Sequence, residues 1–265
     1  MPKINREVIN ITNFKDTAII LVSFGTADEK IFLRTIDALA REILAAFNFE
    51  LRQAYTSNFI IKKLARRGIK FFTVTEQISK LHAEGYRKII LLPTHLTPGE
   101  EFDNKIKICA ADDVKILSPL FSDDLEKILE VILKCFQLDD EDLILIGHGS
   151  PNRHNPVYEN FQRLIDKSYK NIHVGVVEEN DTPNFNQVAE RLKNRDVKKI
   201  LLAPLLFNGG MHVEKDIKIS WRGKLAALGY DVKVCADGLG TFKIFRELYI
   251  EKIKGELERC STNAN

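Results

Sequence analysis

The chain is poor in the features that would place it outside the ordinary globular proteins. It has four cysteines, at positions 109, 135, 235 and 260. None form a CxxC pair, and their spacing matches neither a zinc site nor a disulfide framework. They are read as reduced thiols. No stretch approaches the roughly 20 apolar residues that a membrane span needs. The opening residues, through Asn10–Asp16 (NITNFKD), lack the apolar core of a signal peptide. A cytoplasmic protein is therefore expected, with no membrane partner. Charge of either sign is not in excess: 39 Lys+Arg stand against 37 Asp+Glu, a formal +2. There is no basic tract and no aromatic-basic motif, so no nucleic-acid partner is expected. Low-complexity tracts are also absent.

What is present is a regular alternation of apolar runs and amphipathic stretches in 265 residues, 45% of them hydrophobic. That length allows one large domain or two modest ones with real cores. Strands are expected at Thr17–Ser23, Glu50–Tyr55, Lys88–Leu92 and Val114–Leu117. A helical spacing of apolar residues covers Ile31–Phe47, and helices are expected at Asn58–Arg67, Thr75–Glu84, Asp103–Ala110 and Ser122–Phe136, the last capped by Ser122. The pattern then restarts. Strands are expected at Leu143–Ile146, Ile172–Val177, Lys199–Ala203 and Asp231–Cys235. Helices are expected at Pro156–Tyr169, Asn184–Asn194, Val213–Leu228 with an interruption near Gly223, and Thr241–Arg259.

The two series are an internal repeat. Lys88-Ile89-Ile90-Leu91-Leu92-Pro93 resembles Lys199-Ile200-Leu201-Leu202-Ala203-Pro204. Ser23-Phe24-Gly25-Thr26 aligns with Gly147-His148-Gly149-Ser150, and Val114-Lys115-Ile116 with Val232-Lys233-Val234. The expected fold is α/β: two similar Rossmann-like halves, residues 1–138 and 139–265, each a parallel sheet flanked by helices.

Apolar runs that end abruptly at glycine or proline read as parallel strands buried on both faces, and ligands of such sheets bind at the carboxyl edge. In the second half three strands end there at a candidate. Leu143–Ile146 leads through Gly147 to His148, Ile172–Val177 leads to Glu178, and Lys199–Ala203 leads through the loop LLFNGGMH to His212. Two imidazoles and a carboxylate suit a first-row divalent metal with open positions, such as cobalt, nickel, iron or zinc. No HxxH or HExxH pair is present, which argues against a permanently held structural zinc and for an exchangeable ion. Glu179 competes with Glu178 for the carboxylate role. His95 also follows a strand and either lines the cleft or packs. His82, His154 and His173 read as structural. In the first half Phe24 stands opposite His148, Ser57 opposite Glu178 and Glu101 opposite His212, so the first half lacks metal-binding side chains at two of the three places.

Six motifs in order, SFGT at 23–26, AYTSNFIIKKL at 54–64, THLTPGEEF at 94–102, GHGS at 147–150, VGVVE at 174–178 and GGMH at 209–212, resemble the CbiK-type anaerobic cobaltochelatases, class II chelatases that insert a divalent metal into sirohydrochlorin. The resemblance implies a lyase-class chelatase of anaerobic cobalamin biosynthesis, with Co²⁺ as substrate, no permanently bound cofactor, and room for a homo-oligomer. It places the family's metal-binding residues on His148, Glu178 and His212, and its proton acceptor on His148. Glu101 falls in the family's acidic loop, facing the cleft. Phe24, His95 and Glu101 are the substrate-binding candidates. The first half then holds the tetrapyrrole and the second half supplies the metal. Segment PNRHNP after GHGS has no counterpart in the family pattern. Alternative readings are iron or nickel insertion into sirohydrochlorin or a porphyrin, and a two-lobed carrier of tetrapyrrole or metal that does no chemistry.

Overall fold

A computed structural model describes residues 16–210 and 213–262. The first half runs β1 (Thr17–Ser23), α1 (Glu29–Arg34), α2 (Ile36–Ala46), β2 (Glu50–Tyr55), α3 (Asn58–Ala65), α4 (Val74–Ala83), β3 (Lys88–Pro93), α5 (Glu100–Lys105), β4 (Val114–Ile116) and α6 (Leu125–Lys134). The second runs β5 (Asp142–Gly147), α7 (Pro156–Ile165), β6 (Ile172–Val176), α8 (Phe185–Lys193), β7 (Lys199–Pro204), a π-helix (Val213–Trp221), α9 (Arg222–Ala227), β8 (Asp231–Val234) and α10 (Lys243–Thr262).

Each half forms a four-stranded parallel sheet, ordered β2-β1-β3-β4 and β6-β5-β7-β8. The orders are identical, as the repeat requires. In both, the strand order reverses beside the first strand, so the ligand crevice of such a sheet lies at the carboxyl ends of β1/β3 and β5/β7.

Side chains alternate across a strand, and here the alternation sorts them into three cores. Ile19 and Leu21 of β1, with Leu143 and Leu145 of β5, enter one cluster shared by the two halves. Ala18, Ile20 and Val22 face α4 and α5 in a second cluster, around Val74, Leu81 and Phe102. Ile144 and Ile146 face α8, the π-helix and α9 in a third, around Val188, Ile217 and Leu225. Strands covered on both faces must be apolar throughout, which is why their runs are unbroken.

The shared core is closed by an exchange of helices. Helix α6 packs on α7 of the second half, α10 packs on α2 of the first, and α6 and α10 pack on each other. Arg246 of α10 grips Glu42 of α2 with two hydrogen bonds, Nε to Oε2 at 2.9 Å and Nη2 to Oε1 at 2.6 Å. Its Nη1 also donates to the carbonyls of Gly240 and Thr241. The halves therefore cannot separate without opening a common core.

Three local expectations change. The helix expected over Ile31–Phe47 breaks at Thr35, whose hydroxyl donates to the Ile31 carbonyl at 2.6 Å and competes with the helical ladder. Helix α6 is capped by Asp124, which accepts from the Lys127 amide, and not by Ser122. The helix expected from Asp103 starts earlier, at Glu100, and ends in a short 3₁₀ turn at Lys107–Cys109. The interruption expected near Gly223 falls between Trp221 and Arg222, where π-helix gives way to α-helix. No described helix is long and apolar enough to cross a membrane.

Candidate active site

The carboxyl ends of β5 and β6 carry the first two candidates. The ladder continues one step past both strands: the Val177 amide donates to the Gly147 carbonyl and the Glu178 amide to the His148 carbonyl, each at 3.0 Å. This backbone pairing brings the two side chains together. His148 Nδ1 lies 3.6 Å from Glu178 Oε1, and the side chains are 37% and 29% exposed. Glu179, by contrast, is 88% exposed and turns towards Lys224 at 3.7 Å. His148 Nδ1 is also 3.3 Å from the Gly149 carbonyl. Both neighbours of Nδ1 are acceptors, an arrangement that keeps a proton on Nδ1 and the basic lone pair on Nε2.

The glycines around His148 are needed for two different reasons. Gly149 has φ +83°, a region that L side chains rarely adopt. A Cβ there would also stand 3.0 Å from Val176 Cβ and 3.1 Å from Glu178 Cβ. At Gly147 a Cβ would collide with the ring of Tyr158, which reaches over from α7.

That ring explains an exchange in the repeat. In the first half the Ser23 hydroxyl accepts from the Gly25 amide at 3.2 Å and from Asn208 Nδ2 of the other half at 3.3 Å. In the second half the residue aligned with Ser23 is Gly147. The Tyr158 hydroxyl takes the serine's place, 3.5 Å from the Gly149 amide and 3.5 Å from Thr97 Oγ1 of the first half. Each turn is thus pinned by a hydroxyl that also bridges the two halves.

Asp181 joins the turn after β5 to the turn after β6. It is fully buried. Its carboxylate accepts from the Ser150 amide at 2.8 Å, the Asn155 amide at 3.0 Å, the Thr182 amide at 2.9 Å and His154 Nδ1 at 2.9 Å. Its own amide donates to the Glu178 carbonyl. His154 is therefore a structural residue that supports the site's scaffold through Asp181.

His212 lies outside the described residues. The loop before it is described. Asn208 reaches Ser23, Gly209 packs against the Ala236 carbonyl, and Gly210 has φ +126° with Ile31 of the first half beside it. Among the described residues no third His, Cys, Asp or Glu joins His148 and Glu178 in a cluster able to hold a metal.

Residues 17–258 match the family described as cobalt chelatase (CbiK). The chain belongs to that family.

A sirohydrochlorin cobaltochelatase of Salmonella typhimurium is 24% identical over 267 residues, covering 93% of this chain and 98% of that one. The sirohydrochlorin cobaltochelatase CbiKC of Nitratidesulfovibrio vulgaris is 24% identical over 253 residues, covering 89% and 88%. Among solved structures, SirB from Bacillus subtilis with Fe³⁺ superposes with a TM-score of 0.60 at 15% identity, covering 90% of this chain and 94% of that one. That likeness establishes the shared fold of two similar α/β halves. The protein is a metal chelatase, an enzyme of the lyase class.

In this chelatase the three first-half candidates take different positions. Phe24 follows β1 with its side chain 43% exposed, so it does not pack into its own half's core. His95 is half-buried: among the described residues its Nδ1 has no hydrogen-bond partner, its Nε2 is 3.5 Å from Thr56 Oγ1, and burial pushes its pKa down to about 4. It is a neutral imidazole. Glu101 is half-buried in the first turn of α5. Its neighbour Glu100 is spoken for, because Asn152 donates to it through both its amide nitrogen and Nδ2. Arg153 pairs with Asp103 at 2.7 Å and Asn155 Nδ2 donates to the Pro98 carbonyl at 2.8 Å. The PNRHN segment is thus a strap that fastens the His148 turn to the first half.

Proposed function

We propose that this chain inserts a divalent metal, Co²⁺, into sirohydrochlorin held between the two halves. The observation that carries the reading is the meeting of His148 and Glu178 at 3.6 Å on the carboxyl edge of the second sheet, where the ends of β5 and β6 lie side by side. The names of the relatives from Salmonella typhimurium and Nitratidesulfovibrio vulgaris supply the substrate and the metal.

Glu178 and His148 take up the incoming ion, with His212 as third ligand at the end of the Asn208–Gly210 loop. Two pyrrole N–H protons must leave as the metal enters. As the ion passes to the macrocycle nitrogens, His148 Nε2 is released to accept one of these protons, and the other leaves to water. The balance is one Co²⁺ in and two H⁺ out, with no change of oxidation state. Phe24 gives the macrocycle an apolar face from the first half. His95 stays neutral beside it and Glu101 stands at the rim. Residues 1–138 act as the wall and 139–265 as the metal-bearing half. The same donors accept iron or nickel, because ligand type separates these ions weakly.

The test is to incubate the purified protein with sirohydrochlorin and Co²⁺, Fe²⁺ or Ni²⁺ separately, following the absorption change of an excess of tetrapyrrole. Multiple turnovers, fastest with Co²⁺, are expected, and His148→Ala should abolish them without lowering the melting temperature. Binding that stops at one equivalent with every metal would make the protein a carrier.

A further inference from the structure

The first half carries an element that the second lacks. Between β2 and α4, residues 56–73 form an excursion built on α3, whereas β6 is joined to α8 by residues 177–184 with no helix. The excursion leans on the turn that holds Phe24. The Ser57 amide donates to the Phe24 carbonyl at 3.2 Å, and Arg67 Nη1 donates to the Ala27 carbonyl at 2.6 Å. Its return limb is anchored by the Tyr55 amide on the Phe72 carbonyl at 2.9 Å and by Phe71 stacked on Tyr55 at 4.2 Å. It is therefore a raised rim of the cleft beside Phe24.

The rim is basic. From Asn58 to Thr75 there is no acidic residue, while Lys62, Lys63, Arg66, Arg67 and Lys70 all fall in that stretch and are exposed. In a chain of formal charge +2 this is a local concentration. Among the described residues, no ion pair engages Lys62, Lys63 or Arg66. Of the basic residues of the other half, Arg153 is paired with Asp103 and Lys218 with Glu214. Sirohydrochlorin is a polyanion with carboxylate side arms around its rim, so its charge needs a counterpart that those residues do not supply.

We propose that the α3 excursion is the recognition element for the carboxylate side arms of the tetrapyrrole, with Lys62, Lys63 and Arg66 as the residues that receive them. This rests on the reading of the protein as a sirohydrochlorin chelatase and extends it to substrate selection. Exposed cations of this kind raise the local concentration of an anionic substrate and act through a field that salt screens. They contribute to capture of the macrocycle and not to the metal step.

The experiment uses the full chain with Lys62→Gln, Lys63→Gln and Arg66→Gln combined, all at exposed positions where folding should be undisturbed. At low ionic strength the KM for sirohydrochlorin should rise about tenfold with kcat within about twofold, and its dependence on salt should flatten. An unchanged KM with unchanged salt dependence overturns the proposal. A fluorescence titration of sirohydrochlorin without metal separates it from the activity reading. If the wild type binds but never turns over, the activity reading fails, and the ratio of the two Kd values still decides this one. A wild type that does not bind sirohydrochlorin overturns both. Wild-type sedimentation with phosphatidylglycerol vesicles, lost in the variant while KM is unchanged, would assign the patch to an anionic membrane surface and overturn the proposal.

Discussion

Asp181 Oδ2 accepts a hydrogen bond from the Ser150 amide at 2.8 Å, which ties the turn bearing His148 to the turn bearing Glu178. Three further donors converge on the same buried carboxylate. Removing it would leave the Ser150 and Asn155 amides buried without partners, at a cost of about 1–3 kcal/mol for each unsatisfied group. Asp181→Ala should therefore lower stability by about 3–5 kcal/mol, read by denaturant unfolding. At a temperature where the variant is still folded, the metal insertion rate should fall at least tenfold, because His148 and Glu178 lose their common support. A stable variant with normal activity would show that the backbone pairing of β5 and β6 suffices.

Gly149 meets two conditions at once, a left-handed backbone and a space already filled by Val176 and Glu178. Gly149→Ala should destabilise the protein by about 1–3 kcal/mol, the range for a residue forced into a sparsely populated backbone region. The added methyl also presses on Glu178 Cβ, so metal affinity should weaken more than tetrapyrrole affinity. Separate titrations of the two ligands would show the difference, and equal losses would count against the pairing of His148 with Glu178.

Much of this arrangement is legible in the residues. The runs Thr17–Ser23 and Leu143–Gly147 are apolar because helices cover both faces of each sheet, and the repeat between them predicts the identical strand orders. Their ends therefore point to Phe24 and His148, as the end of Ile172–Val176 points to Glu178. What is not legible depends on contacts distant in sequence. Asp181 looks like one more acid in the loop EENDTP until the turn from Ser150 to Asn155 folds onto it. Tyr158 looks like a helix-face aromatic, although the glycine at 147, where the first half has Ser23, is a trace of its ring. The reciprocal packing of α6 on α7 and α10 on α2 leaves no local mark either, because an amphipathic helix shows that it has a buried face and not which half covers it.

Asp142 sets an acid limit on the second half. Burial alone would raise its carboxyl. The hydrogen bonds from His173 at 2.8 Å and from Arg195 at 2.6 Å, together with the charges of those groups, outweigh that and hold it below the ordinary carboxylate range. A carboxyl depressed in the folded state contributes stability that is fully present above its unfolded value, about 3.9, and is lost as pH falls through the lower folded value. Wild-type stability should therefore decline below about pH 4. Asp142→Asn should cost about 3 kcal/mol at neutral pH, because Arg195 loses its partner, and should make the remaining stability less sensitive to acid. Urea unfolding of both proteins from pH 7 to pH 3 would test the sign, and parallel curves would refute the assignment.

Phe24 tests the division of labour between the halves. It occupies the place just after β1 that His148 occupies just after β5, at the same kind of turn, with Gly25 at φ +100° matching Gly149 at φ +83°. A phenyl ring cannot ligate a metal, and at 43% exposure it is not spent on packing its own core. Its neighbour on the next strand end is Ser57, which caps α3 and is a poor ligand for cobalt. The first half thus offers an apolar surface where the second offers an imidazole and a carboxylate. An aromatic face against a conjugated macrocycle adds about 1 kcal/mol beyond the area it buries. Phe24→Ala should therefore weaken tetrapyrrole binding about fivefold to tenfold while leaving metal binding and the melting temperature unchanged. Phe24→Leu, which restores apolar area without the ring, should recover only part of the loss. Calorimetric titration of metal and of sirohydrochlorin against the three proteins reads both quantities. A Phe24→Ala protein that loses metal affinity and keeps its tetrapyrrole affinity would mean that the first half takes part in holding the ion.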